Sequence, residues 1–352
     1  MATIHDVAKS AGVSAKTVSR VLNGDAPVNV KTREKIEAAM AELGYVPSVA
    51  ARMMRSNKSG IVGLITGAIS GAEADGKPGG LPDLPILQGI QQVMASSGKT
   101  LMIADTGGRA DAVSGLIRTF LQYRVEGLIY VAKHHQKVDL PPIPTGQKLV
   151  LANCFDDAGT PAVLPDDRAG QRDLVADIIR AGHRRIGYLA LPVELLADKL
   201  RRSGYRDALE AAGLPFDPDL VRTAEAEWRE GETAELEQAI DHMLSLANPP
   251  TVLCCGNDKL AMQTYGILRS RGIEVPGQMS IAGFDNYRLI SESLYPPLTT
   301  AELPYLALGE AAARRLLSML SNDDAVPEDP TLVYGPVFWR SSVLPIDADD
   351  TN

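Results

Sequence analysis

Cysteine is scarce in this chain of 352 residues: there are three, Cys154, Cys254 and Cys255. An odd number, with two of them neighbours in the apolar run "TVLCCGN", argues against a disulfide framework. Small buried side chains in a reducing cytosol are expected instead. Histidine is nearly as sparse. His5, His134, His135, His183 and His242 are scattered without metal-ligand spacing, and no nucleophile–base set stands out. These absences predict no metal, no cofactor and no enzyme, and they leave His134–His135 as a solvated loop pair. No apolar run approaches membrane-spanning length, and the opening "MATIHDVAKS" holds no apolar signal region. The expectation is a cytoplasmic chain with no membrane partner. Glycine-rich phosphate motifs are missing too. "GAEADGKPGG" lacks a strand–helix frame and reads as a flexible surface insertion.

What is present is ordinary in amount and uneven in placement. Apolar residues make up 45% and charged residues 22%, and the length allows two or three domains with a sizeable core. The net charge is −9, yet residues 1–60 hold nine Lys/Arg against five Asp/Glu. The remainder is strongly acidic. A basic head on an acidic body implies that a polyanion meets only the head.

In that head, Thr3 caps a helix over 4–11, with Ile4, Val7 and Ala8 on one face. Gly12 allows a turn, and Ser14 caps a second helix from Ala15 to about Asn23. Its Val18, Val21 and Leu22 face inward, which turns Ala15, Lys16, Thr17 and Arg20 outward. A third helix follows an Asn29 cap and stops at Gly44. Such a unit is a helix-turn-helix, whose second helix enters the major groove N-terminal end first. Arg20 suits the O6 and N7 of guanine, Lys16 a similar edge, and Ala15 a thymine methyl. Thr3, Ser14, Thr17, Ser19 and Asn23 are of the right type for phosphate contacts. Periodicity alone leaves open a solvated three-helix bundle with an accidental polar face.

"TIHDVAKSAGVSAKTVSRVLNG" followed by "VKTREKIEAAMAELGYVPSVAARMMRS" closely resembles the head of the lactose-repressor (LacI/GalR) family of transcription regulators. The match covers nearly every position from Thr3 to Arg55. Residues 1–46 are then the helix-turn-helix domain and 47–60 a hinge helix and linker. Two turns at Val49–Ser56 are marginal alone and are expected to fold only when docked. The resemblance implies paired hinge helices in the minor groove, with Met54 as the wedge, Ala51 beside it and Arg55 following. Wedging favours a flexible central base step. Met53 and Met54 as anchors on the body remain the alternative.

From residue 60 onward strand-like runs alternate with amphipathic stretches: "GIVGLIT", "TLMIAD", "VEGLIYVA", "KLVLANC", then "RIGYLAL", "TVLCCGN" and "MSIAGFDN". The alternation predicts two lobes of doubly wound parallel sheet, with ligands at the carboxyl ends of strands. Asn153, Asn257 and Asp285 stand at such ends and suit hydroxyl groups. Arg201 adds a fork of donors, and Trp228 a flat face. Each also has a plain structural reading, as helix cap, solvated charge or half-buried ring.

"CCGNDKLAMQTYGILRSRGIEVPGQMSIAGFDN" and "PPLTTAELPYLALGEAAARRLL" resemble the family's core, which is similar in fold to periplasmic sugar-binding proteins. Matches at "LRRSGY", "EAEW", "CGND" and "AGFDN" imply effector contact for Arg201, Trp228, Asn257 and Asp285. Asn153 matches a position that is often aspartate. Where many members carry an aromatic pair this chain has "LPDLP", placing Pro82 and Asp83 at the site. The core is expected over 61–345. Lobe one takes 61–161 plus 290–322, and lobe two takes 162–289 plus 323–345. An acidic tail, 346–352, carries no leucine heptads, so a homodimer is expected rather than a coiled-coil tetramer. The resemblance implies a repressor of carbohydrate genes, bound to palindromic double-stranded operator DNA and released by a small sugar. A purine acting as corepressor is the alternative. A sugar-binding transport component would have no use for the basic head.

Overall fold

The structure is a computed structural model describing residues 2–23, 28–46, 58–67, 83–224, 233–321 and 329–346. The head is built from local signals. Helix α1 (Ile4–Ser10) opens on a capping box: the Asp6 N–H donates to Thr3 Oγ1 at 3.3 Å and the Thr3 N–H to Asp6 Oδ2 at 2.8 Å. Gly12, at φ +65°, makes the turn. The Thr17 N–H then donates to Ser14 Oγ at 3.1 Å, starting α2 (Ala15–Asn23). Helix α3 (Val30–Leu43) runs from an Asn29 cap to Gly44 in the left-handed conformation. Val7, Ala8, Val18, Ile36 and Ala39 bury one core between the three.

In the body, one six-stranded sheet has the order β11-β5-β4-β3-β1-β2. Its strands are β1 (Ile61–Thr66), β2 (Thr100–Asp105), β3 (Gly127–Lys137), β4 (Lys148–Phe155), β5 (Ala162–Pro165) and β11 (Thr331–Val333). Helices α4 (Asp83–Ser96) and α11 (Tyr305–Leu320) cover one face. Phe120 of α5 (Ala112–Gln122) packs beside Leu128 on the other. The α4–α11 crossing is close because a Cβ on Gly309 would stand 2.1 Å from the Ile86 carbonyl oxygen, and one on Gly89 2.1 Å from that of Leu306.

The second sheet has the order β12-β10-β9-β8-β6-β7. It comprises β6 (Ile186–Ala190), β7 (Val221–Thr223), β8 (Val252–Cys255), β9 (Ser280–Asp285), β10 (Thr299–Glu302) and β12 (Val337–Phe338), the last antiparallel to β10. Helices α6 (Asp167–Arg180) and α7 (Leu196–Ala211) cover one face, and α8 (Thr233–Ser245) and α9 (Asp258–Ser270) the other. A four-residue helix α10 (Arg288–Ser291) follows β9. Strand alternation separates the neighbouring cysteines: Cys254 packs with α6 and α7, Cys255 with α8 and α9, and both thiols are free.

The chain changes lobes later than its sequence suggests. Residues 162–165, expected in lobe two, form β5 of the first sheet. Residues 299–302, expected in lobe one, are β10 of the second sheet. Residues 331–333, expected in lobe two, are β11 of the first. A strand of three or four residues joins whichever sheet offers an open edge, and its own residue pattern does not name that partner.

His183 ties the end of the second lobe together, with Nε2 at 3.0 Å from the Leu344 carbonyl and Nδ1 at 2.7 Å from Thr251 Oγ1. A carbonyl only accepts, so Nε2 carries the proton and the neutral ring takes the Thr251 hydroxyl on Nδ1. Burial above all holds this imidazole below its ordinary pKa of 6.5. The unfolded chain therefore binds a proton that the folded chain refuses, and stability falls as pH drops below 6.5. One proton sets the ceiling on the slope from this group at about 1.4 kcal/mol per pH unit. Urea unfolding at pH 7.5 and 5.5 should show a smaller difference for His183→Gln than for wild type.

Candidate DNA-recognition helix and ligand cleft

On α2, Val18 is buried while Lys16 and Arg20 are exposed, one turn apart. Ala15 is half-buried against the head core. Ser14 and Thr17 pair their hydroxyls at 2.9 Å beside the cap, and Thr3 Oγ1 donates to Asp6 Oδ2 at 2.7 Å. The hydroxyls of Thr3, Ser14 and Thr17 thus organise the helix starts first. Ser19 is half-buried. The Asn23 side chain, and Ala51, Met54 and Arg55, lie outside the described residues.

In the body, polar groups gather at the carboxyl ends of strands, where open parallel sheets place ligands. Arg201, in the first turns of α7, is 3% exposed. Its Nε donates to Asp167 Oδ1 at 2.8 Å, its Nη1 to the Gly256 carbonyl, and its Nη2 stands 3.7 Å from Asp285 Oδ1. The guanidinium lies 3.8 Å over the Phe284 ring. Asp285 has φ +118°, a strained conformation for a side chain bearing a Cβ, and such strain gathers at functional positions. Burial raises the Asp285 carboxyl well above its usual range; Arg201 pulls it back, and Asp258 and Asp167 push it up again. Burial would also raise Asp167, yet Arg201 and His135 hold that carboxyl below its usual range.

Asp258 is wholly buried, accepting the Thr300 hydroxyl at 2.6 Å and the Tyr287 N–H at 2.7 Å. It fixes the backbone that follows Asp285. Asn257 caps α9, accepting the Leu260 N–H at 2.7 Å on Oδ1. Among the described residues, no group of three or more His, Cys, Asp or Glu is arranged to hold a metal ion, and no helix is long and apolar enough to cross a membrane.

The pattern of bacterial regulatory proteins of the lacI family matches residues 3–48, and that of the periplasmic binding protein-like domain matches residues 175–343. The chain is 31% identical over 321 residues to the sucrose operon repressor of Escherichia coli, covering 90% of this chain and 94% of that one. The chain belongs to the lacI family. It is also 32% identical to the HTH-type transcriptional regulator GalR of Escherichia coli (strain K12), over 97% of this chain and 95% of that one. Its fold matches the crystal structure of the Lac repressor dimer bound to operator and the anti-inducer ONPF, with a TM-score of 0.74 and 25% identity, over 97% of this chain and 99% of that one. This lacI-family chain is accordingly a DNA-binding transcription regulator and not an enzyme.

Of the ligand residues expected in this regulator, the structure brings Arg201, Asp285 and the Gly256–Asn257 turn together. It treats Asn153 differently. That residue is 1% exposed, has φ +60°, and donates its amide to the Ala132 carbonyl at 3.1 Å, so little of its surface is left for a ligand. Trp228, Pro82 and the Asp83 side chain lie outside the described residues. Two residues hydrogen-bonded into the Arg201 cluster escaped the sequence reading. His135 is no loop residue: β3 runs on to Lys137, His134 points outward and His135 inward, 2.8 Å from Asp167 Oδ2. Asp167 is the first residue of α6, where an acidic side chain by its type alone reads as a helix start. Residues 133–137, "KHHQK", are polar throughout and carry no apolar alternation, and the strand shifts register between Val131 and Gln136.

Proposed function

We propose that this regulator acts in the cytoplasm as a homodimeric repressor of carbohydrate genes, holding a roughly palindromic operator until a small sugar enters the cleft. The observation that carries the reading is the joint presence of an exposed Lys16–Arg20 face and a buried Arg201 facing the half-buried carboxylate of Asp285 in one chain. A dimer sets two recognition helices on two half-sites. Arg201, Asp285 and Asn257 suit the hydroxyls of a sugar, and relatives include repressors of the sucrose and ribose operons. In this reading Met54 wedges the central step of the operator, with Ala51 and Arg55 beside it. The sugar shifts the lobes and weakens that grip by a coupling of about 1–3 kcal/mol.

Selection of bound sequences from random duplex, followed by titration with sucrose, ribose and a panel of other sugars, tests the proposal. The expected result is a palindromic consensus whose affinity falls about fivefold or more with one sugar. Equal binding of the consensus and random duplex at moderate salt would refute it. A ligand that tightens the complex would replace release by corepression.

A further inference from the structure

Asp167 is the first residue of α6, where the chain has just left the first sheet for the second lobe. Its two carboxylate oxygens serve different lobes. Oδ2 meets His135 Nδ1, on β3 of the first sheet, at 2.8 Å, and Oδ1 meets Arg201 Nε, on α7 of the second lobe, at 2.8 Å. All three side chains are buried. Against an ionised carboxylate Nδ1 must donate, which settles the tautomer of the ring. Phe155 meets the imidazole edge-on at 6.4 Å. On the far side of Arg201 lie the Phe284 ring and Asp285.

We propose that His135 is a positioning residue of the effector site, acting from the first lobe through Asp167 on Arg201, so that a ligand at Arg201 and Asp285 is felt in strand β3. This rests on the effector reading of Arg201 and Asp285 given above. Charge-assisted hydrogen bonds are short and directional, and away from water a broken one is not replaced. A guanidinium drawn toward a ligand hydroxyl turns its Nε away from Asp167 Oδ1. The carboxylate then follows Arg201 or stays with His135, and the two choices place the lobes differently. Apolar packing between lobes would slide under the same displacement. A carboxylate with one partner on each side responds in two discrete arrangements, which is what coupling between distant sites requires.

Two measurements on the full chain decide the matter. The first needs no ligand: amide hydrogen exchange across 127–137 in wild type and Arg201→Lys, which keeps the charge but loses the Nε donor. The relay predicts exchange near His135 faster by about tenfold or more in the variant. Unchanged exchange in β3 overturns it. The second compares wild type, His135→Leu and His135→Gln, using sucrose and ribose as probes with the selected operator. Sugar affinity of each variant is measured without operator, and the operator response is then compared at saturating sugar, so that weaker sugar binding is not counted as lost coupling. In His135→Leu the sugar-induced fall in operator affinity, typically about 5- to 150-fold for such couplings, should shrink to below about threefold. His135→Gln, which can still donate to Asp167, should restore it. A full operator response in His135→Leu, or no rescue by glutamine, overturns the proposal. If neither sugar affects wild-type DNA binding, the effector reading fails for those sugars, and the exchange result alone judges the relay.

Discussion

Arg20→Ala is expected to lose about 1–3 kcal/mol of operator affinity per half-site and to stop distinguishing one base pair in each. The side chain is exposed on α2, and Val18 anchors the opposite face in the head core. Alanine is a good helix former, so the head should stay folded. Binding isotherms on the selected operator and on one with the contacted guanine replaced would separate two roles. A base-reading Arg20 makes the base change costly in wild type and neutral in the variant. A phosphate-contacting Arg20 would instead weaken all sequences alike and lower the salt slope by about one. Equal operator affinity in both proteins would remove Arg20 from the interface.

Arg201→Leu is expected to cost about 3–5 kcal/mol of stability, because it strands a buried carboxylate. Asp167 would retain His135 alone, and Asp285 would lose its nearest cation. Urea unfolding should show the loss, with Arg288→Ala as the control. Arg288 pairs with Glu292 on the surface at 2.7 Å, and such a pair is worth less than about 1 kcal/mol. Under conditions where Arg201→Leu remains folded, operator binding should persist and the response to sugar should vanish. A variant as stable as wild type would mean that Asp167 finds other compensation. A normal sugar response would move the ligand site away from Arg201.

The difference between head and body explains how much could be read in advance. Thr3, Ser14, Asn29 and Gly44 act on the backbone of their own neighbours, and their roles follow from residue type and spacing. The inward faces of α2 and α3 follow from helical period, and the two-lobed body from the alternation of strands and helices. Arg201 and Asp285 were legible as polar residues beside strand ends. Asn153 occupied an equivalent place in the pattern, yet its amide turns to Ala132. Residue type and strand position do not say which way a side chain points once the backbone enters a positive φ.

By itself the sequence determined the capped helices of the head, the exposed Lys16–Arg20 face and the doubly wound class of the body, because each rests on residues a few positions apart. Only the tertiary structure decided that β5 and β11 join the first sheet and β10 the second, and that Cys254 and Cys255 face opposite helix layers. It alone brought His135, Asp167 and Arg201 together, from positions 135, 167 and 201. Strand pairing and burial of charge depend on partners far along the chain. Those partners are chosen by which edges and carboxylates remain unsatisfied when the two lobes close around them.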